Sequence, residues 1–161
     1  MSTIQSKHIL AVCTGNICRS PMAEYLLRHH LRDQPAWTVS SAGIYAGDGQ
    51  PASQAAVQVL AELGIDAQPH RSRQLTKSML DEARYVLVMT DGHRENIVAQ
   101  WPDLRERVYL ITGFSLDQRE TGIADPIGQS ENYYRKTRDQ IDSAIADFLV
   151  HLTKQGELST S

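Results

Sequence analysis

Cysteine is scarce in this chain: two residues in 161, at positions 13 and 18. Two thiols five positions apart make no disulfide framework, and the reading below needs them reduced, which favours a cytoplasmic setting. Basic charge is not in excess either. Sixteen Lys and Arg against nineteen Asp and Glu leave a net charge of −3, so no basic face invites nucleic acid. No apolar run is long enough to span a bilayer, and no membrane partner is expected. The N-terminus has one lysine and a four-residue apolar run, and reads as neither leader nor anchor. Internal repeats, low-complexity segments and a metal-ligand cluster are all missing. What remains is an ordinary globular composition, 41% apolar and 22% charged, sized for one domain over residues 1–155 with a flexible tail over 156–161.

Against that background one stretch stands out, Val12-Cys13-Thr14-Gly15-Asn16-Ile17-Cys18-Arg19-Ser20-Pro21. The apolar run Ile9–Val12 predicts a buried strand. Ser20-Pro21 predicts a helix start, with Ser as N-cap and Pro at the first helical position. Strand, tight loop and helix N-terminus together make an anion site, because unpaired amides and the positive end of the helix dipole converge. Successive N–H groups from Thr14 to Arg19 would wrap a tetrahedral oxyanion, and the Arg19 fork would bind two of its oxygens. The same charges favour a nucleophilic thiolate at Cys13. Gly15 and Asn16 are the residues available for left-handed backbone. The plainer reading is a buried strand-end Cys with a solvent-facing Arg.

The rest of the chain alternates helices and strands. Pro21 to about Arg32 reads as a helix with Met22, Tyr25, Leu26 and His29 on one face. Of the adjacent His29 and His30, one is expected to be packed and one solvated. Strands are expected at Trp37–Ser40, Tyr85–Met89 and Val108–Ile111, the second buried on both faces. Helices are expected over Ala52–Leu63, capped by Gly64, over about Thr76–Ala83, from Asp91 to the Trp101-Pro102 step, and over Glu131–Lys154. Residues 112–130 read as a long loop and 155–161 as a frayed tail. The alternation predicts an α/β sandwich with a parallel sheet, whose ligands sit beyond the carboxyl ends of the strands.

The run Cys13-Thr14-Gly15-Asn16-Ile17-Cys18-Arg19-Ser20-Pro21-Met22-Ala23-Glu24 resembles the signature of the low-molecular-weight protein tyrosine phosphatases. The resemblance implies a three-layer sandwich around a four-stranded parallel sheet, with the phosphate-binding loop after the first strand. It also implies hydrolysis of a phosphate ester through a phosphocysteine on Cys13, with phosphorylated protein or peptide as substrate and no cofactor or metal. Asp125-Pro126 is by itself a turn signal. By resemblance, Asp125 is the general acid that protonates the leaving group and then the base for the attacking water. By resemblance too, Ser20 steadies the Cys13 thiolate, and Ser41 and His70 hold Asn16. Cys18 reads as a small buried side chain or as a partner for a reversible disulfide with Cys13.

The pocket walls are Ile17, Ile44, Tyr45 and Ile127. Ile127-Gly128 stands where eukaryotic members place two aromatics, and much of the signature resembles a bacterial branch that includes protein arginine phosphatases. That branch has Thr in place of Ile17. An apolar Ile17 suits an aryl ring, so phosphotyrosine is the expected substrate and phosphoarginine the alternative. A phosphocysteine carrier or a non-catalytic phosphate-binding module would have no use for Asp125. Oligomeric state is not legible.

Overall fold

β1 (His8–Cys13) is the axis of the structure. Its residues alternate between two apolar clusters. Ile9 and Ala11 join one, while Leu10 and Val12 join the other. A strand buried on both faces must sit in the interior of a parallel sheet, and β1 does. The sheet is all parallel, in the order β2 (Thr38–Gly43), β1, β3 (Tyr85–Val88), β4 (Val108–Leu110). The computed structural model describes residues 6–115 and 122–159.

The first cluster is completed by α1 (Arg19–His30), α2 (Gln54–Ala61) and α5 (Glu131–Lys154), through Met22, Leu26, Val59, Ile145 and Phe148. The second is completed by α3 (Lys77–Glu82) and α4 (Asp91–Gln100), through Leu80 and Ile97. This is the three-layer sandwich around four parallel strands. β1 leads into α1 on one face, and its neighbour β3 leads into α4 on the other. The connections part between these strands, leaving a crevice at their carboxyl ends, where α/β sheets bind ligands.

Several boundaries differ from expectation. Helix α1 begins at Arg19 with Cys18 at the cap position and no side-chain cap. Ser20 is therefore not the N-cap, because its hydroxyl is used on Cys13 and Asn16 instead. Pro21 sits at the third helical position, where an N–H would have no helical partner anyway. The buried face of α1 is Met22, Ala23, Leu26 and Leu27, because the helix is covered by both the sheet and α5. His29 is exposed rather than packed, and His30 pairs with Asp142 at 2.7 Å. A 3-10 segment, Pro102–Arg107, lies between α4 and β4, and another, Ile111–Phe114, follows β4. Gly64 does turn the chain after α2, at φ +77°.

The expected loose tail is docked as far as Ser159. The Glu157 carbonyl accepts from Trp37 Nε1 at 3.0 Å, and its carboxylate accepts from the Tyr85 hydroxyl at 2.8 Å. Ser159 exchanges two hydrogen bonds with Gln34. Residues 160–161 of that tail and 116–121 of the long loop lie outside the described residues. Among the described residues, no helix is long and apolar enough to cross a membrane.

Two glycines let backbones meet at the crevice. A Cβ on Gly43 would lie 2.6 Å from the Thr14 carbonyl oxygen and 3.0 Å from the Asn16 nitrogen. A Cβ on Gly122 would lie 2.7 Å from the Met89 carbonyl oxygen. Gly43→Ala is expected to push the Cys13 loop off the end of β2, at a cost of ~1–3 kcal/mol, as overpacking against rigid backbone does. Urea unfolding of the variant beside the parent protein measures that cost.

Candidate active site

The loop from Cys13 to Arg19 closes around its own amides. Among the described residues, none of the N–H groups from Thr14 to Ser20 donates a backbone hydrogen bond. These donors open the helix that carries Arg19, leaving a run of free amides at its N-terminus. Asn16 makes the turn. Among the described residues it is the non-glycine residue with positive φ, +57°, and it is wholly buried.

Buried polar groups need partners, and Asn16 has four. Its Oδ1 accepts from the Arg73 amide at 3.0 Å, and its carbonyl accepts from His70 Nε2 at 2.8 Å. Its Nδ2 donates to Ser41 Oγ at 2.9 Å and to Ser20 Oγ at 2.8 Å. Ser41 in turn donates to Glu24 Oε1 at 2.5 Å. The carboxylate takes the Ser41 hydrogen, so Ser41 accepts from Asn16. Asn16 also donates to Ser20, which leaves the Ser20 hydrogen free to be donated to a Cys13 thiolate, with Sγ 2.9 Å away. Ser20, Ser41 and His70 thus meet at the loop.

Arg19 is buried, and its fork is held from two sides. Nη1 donates to the Ile123 carbonyl at 2.9 Å, and Nη2 reaches Thr14 Oγ1 at 3.4 Å and Asp125 Oδ2 at 3.7 Å. Its Nε is buried with no protein partner among the described residues. The Asp125 side chain is 44% exposed, which leaves it open to both substrate and water. Its Oδ1 accepts from the Ile127 amide at 3.1 Å, an Asx turn across Pro126. The close approach of Gly122 brings this loop to the sheet, where the Ile123 amide bonds the Met89 carbonyl at 2.7 Å.

Cys18 lies under the loop. Its thiol contacts the Tyr134 hydroxyl at 3.2 Å and Ser53 Oγ at 3.6 Å, and burial pushes it above the ordinary thiol range. Both cysteines are free thiols. Of the expected walls, Ile17 is half-buried against the core, while Tyr45 and Ile127 are exposed. Ile44 differs. Its side chain is buried in the second apolar cluster and borders, with Tyr45, a cavity lined by Gln74, Leu75 and Trp101 that holds no residue of the Cys13 loop.

Sequence reasoning missed four contributors. Glu24 was in the signature but had no role, and its burial between Ser41 and Arg28 (2.6 Å) is a tertiary fact. The Arg73 amide and the Tyr134 hydroxyl come from remote segments with no local signal. His93 is buried on α4, with Nε2 2.9 Å from Thr14 Oγ1. Only its position just after the β3 end could have marked it. Among the described residues, no group of three metal-ligating side chains is found.

Burial, then the Arg19 cation, lower the His93 pKa from 6.5 to about 4, against a smaller opposing pull from Asp125. Between those values the unfolded chain holds the extra proton, so stability rises with pH. The contribution is complete above pH 6.5 and is lost as pH falls toward 4. Urea midpoints are expected to drop from pH 7 to pH 5. His93→Gln flattens that drop, leaving the part due to His8, whose pKa is also lowered by burial.

The model of the family described as low molecular weight phosphotyrosine protein phosphatase matches residues 8–158. An arginine phosphatase structure from Geobacillus stearothermophilus is similar at 41% identity and a TM-score of 0.86, over 96% of this chain and 98% of that one. A low molecular weight protein-tyrosine-phosphatase from Acinetobacter johnsonii is 34% identical over 92% of this chain and all of its own length. A further solved structure, of an arginine phosphatase mutant with a phosphorylated active-site serine, has 32% identity and a TM-score of 0.85. It covers 91% of this chain and 96% of that one.

Proposed function

The chain belongs to the low molecular weight phosphotyrosine protein phosphatase family, and from that premise we propose that it hydrolyses phosphotyrosine in proteins or peptides through a phosphocysteine on Cys13. The observation that carries this reading is the hydrogen-bond chain ending on Cys13 Sγ, under a loop of unpaired amides beside the free Arg19 Nε. The phosphoryl group sits on the amides from Thr14 to Arg19, with the Arg19 guanidinium against its oxygens. The Cys13 thiolate attacks phosphorus and the P–O ester bond breaks. Asp125 gives its proton to the departing phenolate oxygen. Asp125, now a carboxylate, takes a proton from water as that water attacks the phosphocysteine. The S–P bond breaks, phosphate leaves, and the thiolate returns. Ser20 donates to the sulfur at both ends of the cycle, and Ser41 and His70 keep Asn16 and hence the loop in place. Thiolate chemistry of this kind suits a reducing compartment such as the cytoplasm.

Phosphotyrosine is favoured by Ile17, whose apolar side chain gives an aryl ring contact of order 1 kcal/mol. It gives a guanidinium leaving group no hydrogen bond in exchange for lost water. Exposed Tyr45 and Ile127 add apolar surface at the mouth. Phosphoarginine is the second reading, supported by the arginine phosphatase relative at 41% identity.

Cys13→Ser is expected to abolish turnover while phosphate still binds. Residual turnover above a trace would place the nucleophile elsewhere. Asp125→Ala is expected to slow phenyl phosphate far more than p-nitrophenyl phosphate, whose leaving group departs unaided. Equal losses on the two esters would remove the acid role. For substrate choice, kcat/KM on phosphotyrosine and phosphoarginine peptides is compared in the parent protein and in Ile17→Thr. The parent should prefer phosphotyrosine and the variant should shift toward phosphoarginine. A parent that already prefers phosphoarginine selects the second reading.

A further inference from the structure

His93 is the buried titratable side chain beside the loop that the reaction above leaves without a task. It enters from α4, on the opposite face of the sheet from α1, and reaches Thr14 across the crevice. Thr14 Oγ1 lies 2.9 Å from His93 Nε2 and 3.4 Å from Arg19 Nη2. Arg19 can only donate, so one Thr14 lone pair is taken by the guanidinium. The other ring nitrogen, Nδ1, is buried with no partner among the described residues. A bare lone pair there is tolerated better than an orphaned N–H. The proton is therefore on Nε2, and Thr14 accepts from both neighbours. Its own hydroxyl hydrogen is then turned outward to the mouth of the loop, to which Thr14 is exposed.

We propose that His93 is a positioning residue, a neutral Nε2–H donor that locks Thr14 as a double acceptor and so holds Arg19 Nη2 between Thr14 and Asp125. With Nη1 on the Ile123 carbonyl, this second anchor sets the guanidinium plane and leaves Nε for the bound anion. The charged groups that face the imidazole are Arg19 and Asp125, and burial beside the Arg19 cation keeps it uncharged. The proposal rests on the phosphatase reading for its kinetic effect, but the ring tautomer can be tested without turnover.

The direct test is nitrogen NMR of the intact protein with labelled histidine, from pH 5 to pH 8. A neutral His93 protonated on Nε2 throughout is expected. A ring protonated on Nδ1, or a cation near neutral pH, overturns the proposal whatever the protein hydrolyses. The kinetic test uses an aryl phosphate, with inorganic phosphate as inhibitor. His93→Ala should lower kcat/KM and weaken phosphate inhibition by roughly three- to tenfold, the loss of one hydrogen bond in a coupled set. Thr14→Val should do the same, and the double variant should lose no more than either single one. His93→Gln, which keeps an N–H at similar reach, should recover most of the loss. A structural role alone would give additive losses and no recovery with Gln, and that result overturns the proposal. A parent protein without phosphatase activity refutes the phosphatase reading instead, and the tautomer still decides the role of His93.

Discussion

A left-handed asparagine buried without solvent is the constraint from which the site is built. Asn16 bends the loop so that its amides turn inward, a conformation that side chains other than Gly and Asn adopt at a cost. That bend leaves a side chain and a carbonyl inside the protein, where unpaired polar groups are expensive. The Arg73 amide, His70, Ser41 and Ser20 supply the partners. Satisfying Asn16 also places the Ser20 hydroxyl 2.9 Å from Cys13 Sγ, so the bonds that stabilise the bend also hold a polar partner against the sulfur. Glu24 anchors the far end of the chain, which is why a carboxylate is buried one helical turn above the loop.

The second requirement is delivery of the Asp125 carboxyl to the same point from over a hundred residues away. Sheet topology does this. Because β1 and β3 are adjacent and their helices leave on opposite faces, the crevice between them receives the Cys13 loop, the start of α4 and the Asp125 loop together. Gly122 lets the last of these lie directly on the Met89 carbonyl. Arg19 then joins the parts, touching the Ile123 carbonyl, Thr14 and Asp125 with one rigid fork. A lysine has no planar fork with which to make these contacts.

Substrate choice is separate from this machinery. Relatives with both activities share the fold, so the discrimination must come from side chains at the mouth. The proposed mouth residues in this chain are apolar: Ile17, half-buried, and Tyr45 and Ile127, exposed. Ile44, with its side chain in the core, does not contribute.

Local chemistry was legible from the chain alone. The buried strand, the loop with Cys13 and Arg19 at its ends, the left-handed Asn16, the Gly64 turn and α5 all rest on residues close in sequence, whose preferences do not depend on what packs around them. An acid role for Asp125 came only from the family resemblance, since Asp-Pro by itself specifies a turn. Tertiary structure decided the rest. Ser20 does not cap the helix because Asn16 and Cys13 together occupy its hydroxyl. Residues 156–159 became ordered because Trp37 and Tyr85 offer donors to Glu157. The parts played by Glu24, Arg73 and His93 depend on segments that meet only once the sheet is assembled. Side-chain burial and proton direction are properties of that meeting, and no local pattern encodes them.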